Sequence, residues 1–297
     1  MKRKGNCSIG IIIATFVVMH KCWNCDTELP PNARFCVNCG ARQHQEVAQA
    51  TKGFTLPEDI ELQLNEAFFD ALLVEITEQQ NPNLYDQYRE RMYDSGFRDI
   101  LLRKIQQFVE HLKELEKTAA LTELILKVEQ QALFTDLLDF YIVHFCKDLN
   151  VHPISERILQ YQGKKWENIQ LLPFLLDYLD FDREEETYYI DFLKMPMEKI
   201  RNASRFFLFP ETEERILLIC DQSAFGSCKE GFAFTDKALY WKAYLEKARV
   251  VHFDQLRLLE KNKEWITING FFFNVNQGFN IKMLKLLRKI KDLQFSQ

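Results

Sequence analysis

The stretch Trp265-Ile-Thr-Ile-Asn-Gly-Phe-Phe-Phe273 reads as a β-hairpin. Asn269-Gly270 supplies the two positive-φ positions of a type I′ turn, and β-branched and aromatic residues flank it on both sides. The two arms are Trp265–Asn269 and Phe271–Val275. Working upstream, further short runs of the same character are Leu256–Glu260, Arg249–Phe253, Ala238–Tyr244, Gly231–Thr235 and Arg215–Cys220. Turn residues separate them at Ser223–Ser227, Thr235-Asp236 and Lys261-Asn262-Lys263. Downstream, Ile281, Leu284, Leu287 and Ile290 give Phe279–Leu293 one apolar helical face. Lys282, Lys285, Arg288, Lys289 and Lys291 occupy the rest of that helix. Residues 201–297 are therefore expected to form a curled antiparallel sheet closed by an amphipathic helix.

Part of this module carries a resemblance. Residues 196–242, PMEKIRNASRFFLFPETEERILLICDQSAFGSCKEGFAFTDKALYWK, are similar to a segment of bacterial proteins of unassigned function. The shared pattern is D-x-S/T-x-F-G-S followed by G-F/L-A-F/L-T-x-x-G-I/L-Y-W. Asp221, Phe225, Gly226, Ser227, Gly231, Phe232, Thr235, Tyr240 and Trp241 match it. Ala238 departs from it, standing where a glycine is frequent. The pattern, the strands after it and the final helix also resemble bacterial pleckstrin-homology-like (PH-like) domains. That resemblance implies seven strands capped by Phe279–Leu293, and binding rather than catalysis.

Residues 58–200 change to a helical period. Ile60, Leu64, Phe68, Ala71 and Leu72 share one face, and Asn81-Pro82 ends that helix. Phe97, Leu101, Ile105, Phe108, Leu112 and Leu115 form a second apolar stripe. Leu121, Leu124, Val128, Leu133, Leu137, Tyr141 and Phe145 form a third, joined to the second near Thr118. A helical bundle follows. Residues 150–200 are less regular: a short helix is expected from His152-Pro153 to Leu159, Pro173 interrupts the apolar run Trp166–Leu179, and Asp182–Glu186 reads as a solvated acidic turn. Charge is unevenly distributed: +4 over 1–57, −9 over 58–147, −5 over 148–200 and +5 over 201–297. The basic end can meet an acidic partner or the acidic middle of its own chain, and no single basic DNA-binding face is indicated.

At the other end, Cys22-Trp-Asn-Cys25 and Cys36-Val-Asn-Cys39-Gly40 are two C-x-x-C pairs ten residues apart. Each pair puts two thiolates on one tight turn, and two such turns complete a closed tetrahedral S₄ site for a structural Zn²⁺. Gly40 suits the turn after the second pair. Residues 19–41 thus read as a zinc ribbon and resemble the short ribbons at the N-termini of many bacterial proteins. Residues 42–57 read as a linker. Cys7, Cys146, Cys220 and Cys228 are scattered, which fits free thiols in a reducing, cytoplasmic compartment. Residues 1–18 are read as an upstream extension before a start at Met19. A short signal-like or membrane-associated segment and a buried strand are the alternatives: Ile9–Met19 is too short to span a bilayer.

Catalytic signatures are weak. Ser223 lacks a nucleophile elbow, Asp221 reads as a turn acceptor, His252 as a half-buried strand residue, and no glycine loop could cradle phosphate. The resulting expectation is an α+β protein: N-terminal zinc ribbon, central α-helical bundle and C-terminal PH-like module. It would act as a non-catalytic adaptor for a protein partner. A peripheral protein binding anionic lipid is the alternative, supported by the basic final helix and the apolar N-terminus. An enzyme with an unrecognised site is the third reading, and nucleic acid is disfavoured as a partner.

Overall fold

The computed structural model describes residues 20–21, 27–29 and 54–295. The chain divides into two compact units, 1–52 and 53–297. In the first, β1 (His20–Lys21) and β2 (Glu28–Leu29) form a short antiparallel ladder with His20 opposite Leu29. The 1–18 extension, the ribbon cysteines and most of the linker lie outside the described residues.

The second unit begins with four helices, α1 (Ile60–Gln79), α2 (Tyr85–Asp94), α3 (Phe97–Lys117) and α4 (Glu123–Phe145). The break after α1 falls where expected, and Asn81 Oδ1 accepts from the Asn83 amide at 3.1 Å. Thr122 caps α4 by accepting from the Ile125 amide at 3.2 Å, satisfying one of the free N–H groups of a helix start. On α3 the buried face runs Phe97, Leu101, Ile105, Val109 and Leu112, so Val109 takes the place expected of Phe108. Helix α2 was not foreseen. Its sequence is largely polar, and only Tyr88 and Met92 are buried.

A mixed module follows: α5 (Leu171–Leu179), β3 (Thr187–Tyr189), α6 (Met197–Phe206), β4 (Ile216–Asp221), β5 (Gly231–Thr235), β6 (Ala238–Lys242), β7 (Arg249–His252), β8 (Leu259–Asn262), β9 (Trp265–Ile268), β10 (Phe271–Phe273) and α7 (Gln277–Phe295). Pro173 is the third residue of α5, where its missing N–H costs no helical bond, so the expected interruption is a helix start. The strands form two open antiparallel sheets in the orders β3-β4-β5-β6-β7 and β10-β9-β8. The architecture is thus α+β. Asn269 and Gly270 adopt φ of +49° and +81°, as the β9–β10 turn demands. Residues 150–200, grouped with the helices on sequence grounds, send Ile158, Tyr161, Phe174 and Tyr178 into the same apolar cluster as both sheets and α7.

Helix α7 is enclosed nearly all round. Ile281, Leu284, Leu287 and Ile290 are buried as expected, but so are Met283, Leu286 and the aliphatic stems of Lys285 and Lys289. Its basic face meets the acidic part of the chain. Lys285 Nζ lies 2.6 Å from Glu75 Oε1 and also donates to Asp139, all three side chains being buried. Lys289 pairs with Asp136 at 2.7 Å and Arg288 with Glu78 at 2.6 Å. Lys282 pairs with Glu184 and donates to the Asp180 carbonyl at 3.0 Å. The Glu184 side chain is therefore part of an ion pair and mostly buried, not in a solvated turn. Burial disfavours the Lys285 charge, but Asp139 and Glu75 outweigh that and hold its pKa above the ordinary lysine value. Burial pushes the Asp139 carboxyl upward against the pull of Lys285.

Removing the ammonium alone would leave two buried carboxylates uncompensated. Lys285→Met should lower the stability of the intact chain by about 3–5 kcal/mol in urea melts. The triple change Glu75→Gln, Asp139→Asn, Lys285→Met should recover most of that loss, because no buried charge then lacks a partner.

Candidate functional site

Two regions carry the candidate chemistry, and they belong to different units. In the first, the β1–β2 register brings Lys21 opposite Glu28, closing the ends of the segment that holds Cys22 and Cys25 in the sequence. Leu29 is fully buried. The four cysteines lie outside the described residues. Their chemistry suits zinc: four thiols in two C-x-x-C pairs match a soft, four-coordinate ion.

In the second, the D-x-S-x-F-G-S segment forms the β4–β5 loop. Asp221 ends β4 and organises that loop. Its Oδ1 accepts from the Ser223 amide at 3.0 Å, from the Ser223 hydroxyl, and from the Cys228 amide at 3.1 Å. Its Oδ2 takes the Lys199 ammonium of α6 at 3.0 Å. The Lys199 pKa is raised by its interaction with Tyr189 and by Asp221. Gly231 has φ +147°, and a Cβ there would sit 2.1 Å from the Cys220 carbonyl oxygen, so no side chain fits. Thr235 Oγ1 accepts from the Ala238 amide at 2.9 Å and closes the β5–β6 turn. Trp241 Nε1 donates to the Phe272 carbonyl at 2.8 Å, tying β6 to the second sheet. Asp221 is thus the turn acceptor the sequence suggested. His252 lies at the opposite end of β6–β7 from Asp221, since it pairs with Ala238 whereas Gly231 joins Asp221 to Lys242. The two do not share a catalytic centre.

One motif residue has no such task. Phe225 is 97% exposed at the loop tip. The β6–β7 loop emerges at the same end of the sheet and carries Tyr244 and Leu245, which are 77% and 85% exposed. Leu245 holds φ at +61°, a strained conformation for a bulky residue. Elsewhere, an open groove of about 660 Å³ is lined by Trp166, Ile169, Leu172, Pro173, Ile190 and Phe192, with Arg215 and Asp236 at its polar side. The Arg215 amide donates to Asp236 Oδ1 at 2.9 Å. The sequence offered little sign of this groove, because its walls come from α5, the segment after β3 and the start of β4.

Cys146, Cys220 and Cys228 are free and buried. Burial pushes their thiols up, Cys146 to about 11 and Cys228 to about 12. They remain protonated and unreactive at neutral pH. Among the described residues no helix is long and apolar enough to cross a membrane.

Residues 21–43 match the zinc-ribbon domain family. A zinc-ribbon domain implies zinc binding. No curated protein and no solved structure matches the chain.

The motif residues separate into two behaviours. Gly231→Ala should destabilise the protein by at least about 2 kcal/mol, as overpacking against backbone does. Phe225→Ala should leave the urea midpoint unchanged within about 0.5 kcal/mol, as expected of an exposed side chain.

Proposed function

We propose that this protein is a non-catalytic interaction protein, an adaptor whose zinc ribbon and PH-like module each present a binding surface to a protein partner. In the ribbon, Cys22, Cys25, Cys36 and Cys39 hold one structural Zn²⁺. Four thiolates leave no open position, so the metal organises the ribbon. The PH-like reading of 201–297 is supported by strand order: four antiparallel strands, β4–β7, precede three more, β8–β10, and α7 packs on both.

The observation that carries the partner reading is the groove beside α5. Its volume suits a few side chains of an extended peptide, and its lining is apolar with one cationic and one anionic group at hand. Leu193, just beyond it in sequence, is 99% exposed. The proposed ligand is a protein segment with two or three apolar anchors. Peptide-display selection on the zinc-loaded protein should enrich such segments, and Leu172→Glu should abolish their binding. Turnover of hydrolase or transferase substrates by the pure protein, lost on changing one groove residue, would sink the proposal.

The lipid reading now stands on different residues. The basic face of α7 is consumed by Glu75, Glu78, Asp136, Asp139 and Glu184, and Lys291 donates to the Arg257 carbonyl at 2.7 Å. What favours a membrane surface instead is the exposed trio Phe225, Tyr244 and Leu245. Co-sedimentation with anionic vesicles separates the readings: binding that Phe225→Ala with Leu245→Ala removes would favour lipid, and none at low salt would leave the protein partner.

Chelation tests the ribbon's independence. Metal removal should expose the four ribbon thiols to alkylation while Cys146, Cys220 and Cys228 stay protected. The main thermal transition should not move, and one merged transition that shifted with chelator would contradict two separate units.

A further inference from the structure

A second group of metal-ligand side chains lies far along the sequence from the ribbon. The turn before β4 is closed by the Glu214 amide donating to the Glu211 carbonyl at 3.0 Å, which brings residues 211 and 214 together. Across the sheet, Ala238 pairs with His252 and Tyr240 with Val250. Tyr240 and His252 are therefore diagonal neighbours on one face of the β6–β7 ladder. Ligand atoms of Glu211, Glu214 and His252 all lie within 4.8 Å of one another.

Burial makes this more than a cluster of acids. The Glu214 side chain has no solvent exposure, while His252 keeps 26% of its own. Both Glu214 oxygens lie against the Tyr240 hydroxyl, at 3.1 and 3.0 Å. That hydroxyl has one proton and can donate to one oxygen at a time. His252 Nδ1 is 4.0 Å from Oε1, beyond hydrogen-bond reach. Among the described residues no lysine or arginine nitrogen comes within 4.0 Å of either carboxylate. A carboxylate whose side chain is fully buried thus has one donor for two oxygens and, among the described residues, no cation.

We propose that Glu211, Glu214 and His252 form a second metal site, which takes a divalent ion of the zinc class on two carboxylates and one imidazole. Oxygen and imidazole donors together suit zinc, cobalt and their neighbours better than calcium or magnesium, which favour all-oxygen shells. Three protein ligands leave a position for water, unlike the closed thiolate site of the ribbon. Tyr240, donating to Glu214, orients that ligand from behind as outer partners of metal sites do. A bound ion would supply the cation that Glu214 lacks and would fasten the 211–214 turn to β7.

Cobalt distinguishes the two sites by colour. Full-length protein, stripped of metal and kept reduced, is titrated with Co²⁺. The first equivalent should bring the strong thiolate-to-cobalt charge-transfer absorption. A second should bind with only weak visible bands and no further thiolate absorption. His252→Asn and Glu211→Gln should weaken that second event at least about tenfold and leave the first intact. Both side chains are at least partly exposed, so their apo forms should melt like the wild type. Glu214→Gln is the third variant, read only if its apo form also melts normally. Binding of a single equivalent, or a second that survives both His252→Asn and Glu211→Gln, would overturn the assignment.

Discussion

The Lys285 ammonium, held between Glu75 and Asp139, is the contact on which the larger unit's arrangement depends. It joins a helix at the end of the chain to two helices near its beginning, across separations of 210 and 146 residues. Buried ion pairs add little net stability, because desolvation offsets much of the attraction. What they enforce is register. If α7 turned or slid by one residue, Lys285 would leave Glu75 and Asp139, and two carboxylates would remain buried without a cation. The apolar side of α7 tolerates more freedom than its charged side. Met283, Leu286 and Leu287 could repack against several neighbours, whereas an ammonium between two carboxylates has one good position.

That contact also shows where sequence reading reaches its limit. The hairpin at Asn269-Gly270, the strands Gly231–Thr235 and Trp265–Ile268, and the cysteine ribbon were all legible, because each rests on local chemistry. A turn needs positive φ at two adjacent residues, and a thiolate site needs two pairs at short spacing. The amphipathic stripe of α7 was legible too, but only its first face. Met283 and Leu286, off that stripe, were the available sign that the helix is covered on a second side. The opposed charges of 58–147 and 201–297 showed that acid could meet base, yet not which carboxylate meets which ammonium. No local pattern encodes a pairing over 210 residues.

The elements missed have a common cause. Helix α2 buries two side chains, α6 buries Ala203 alone, and β3 has three residues and none fully buried. None of them carries the periodic apolar signal from which elements are read. They are held by tertiary partners instead: α6 by Lys199 on Asp221, and β3 by its ladder to β4. The candidate site residues divide in the same way. The four cysteines proposed as zinc ligands announce themselves by spacing. The Glu211, Glu214 and His252 group is invisible in sequence, since its members meet only when β4 to β7 are laid side by side.

Intramolecular pairing then constrains what the protein can offer a partner. Counted from sequence, the final helix is a basic surface available to any acidic ligand. In the folded chain Lys282, Lys285, Lys289 and Arg288 are committed to the protein's own carboxylates and Lys291 to a backbone carbonyl, so a ligand competing for Lys285 would have to displace a buried pair and expose Glu75 and Asp139 uncompensated. Under the proposed binding role, recognition falls to surfaces whose groups are not already satisfied. Asp221, Gly231, Thr235 and Trp241 are occupied in holding loops and sheets together. Phe225 and Leu245 are not: one sits in solvent within an otherwise structural motif, the other does so at a positive φ that the fold must sustain. Exposed apolar area and backbone strain both count against the folded state alone. Both features lie at the end of the five-stranded sheet from which the β4–β5 and β6–β7 loops emerge, where each is an added cost to the folded state.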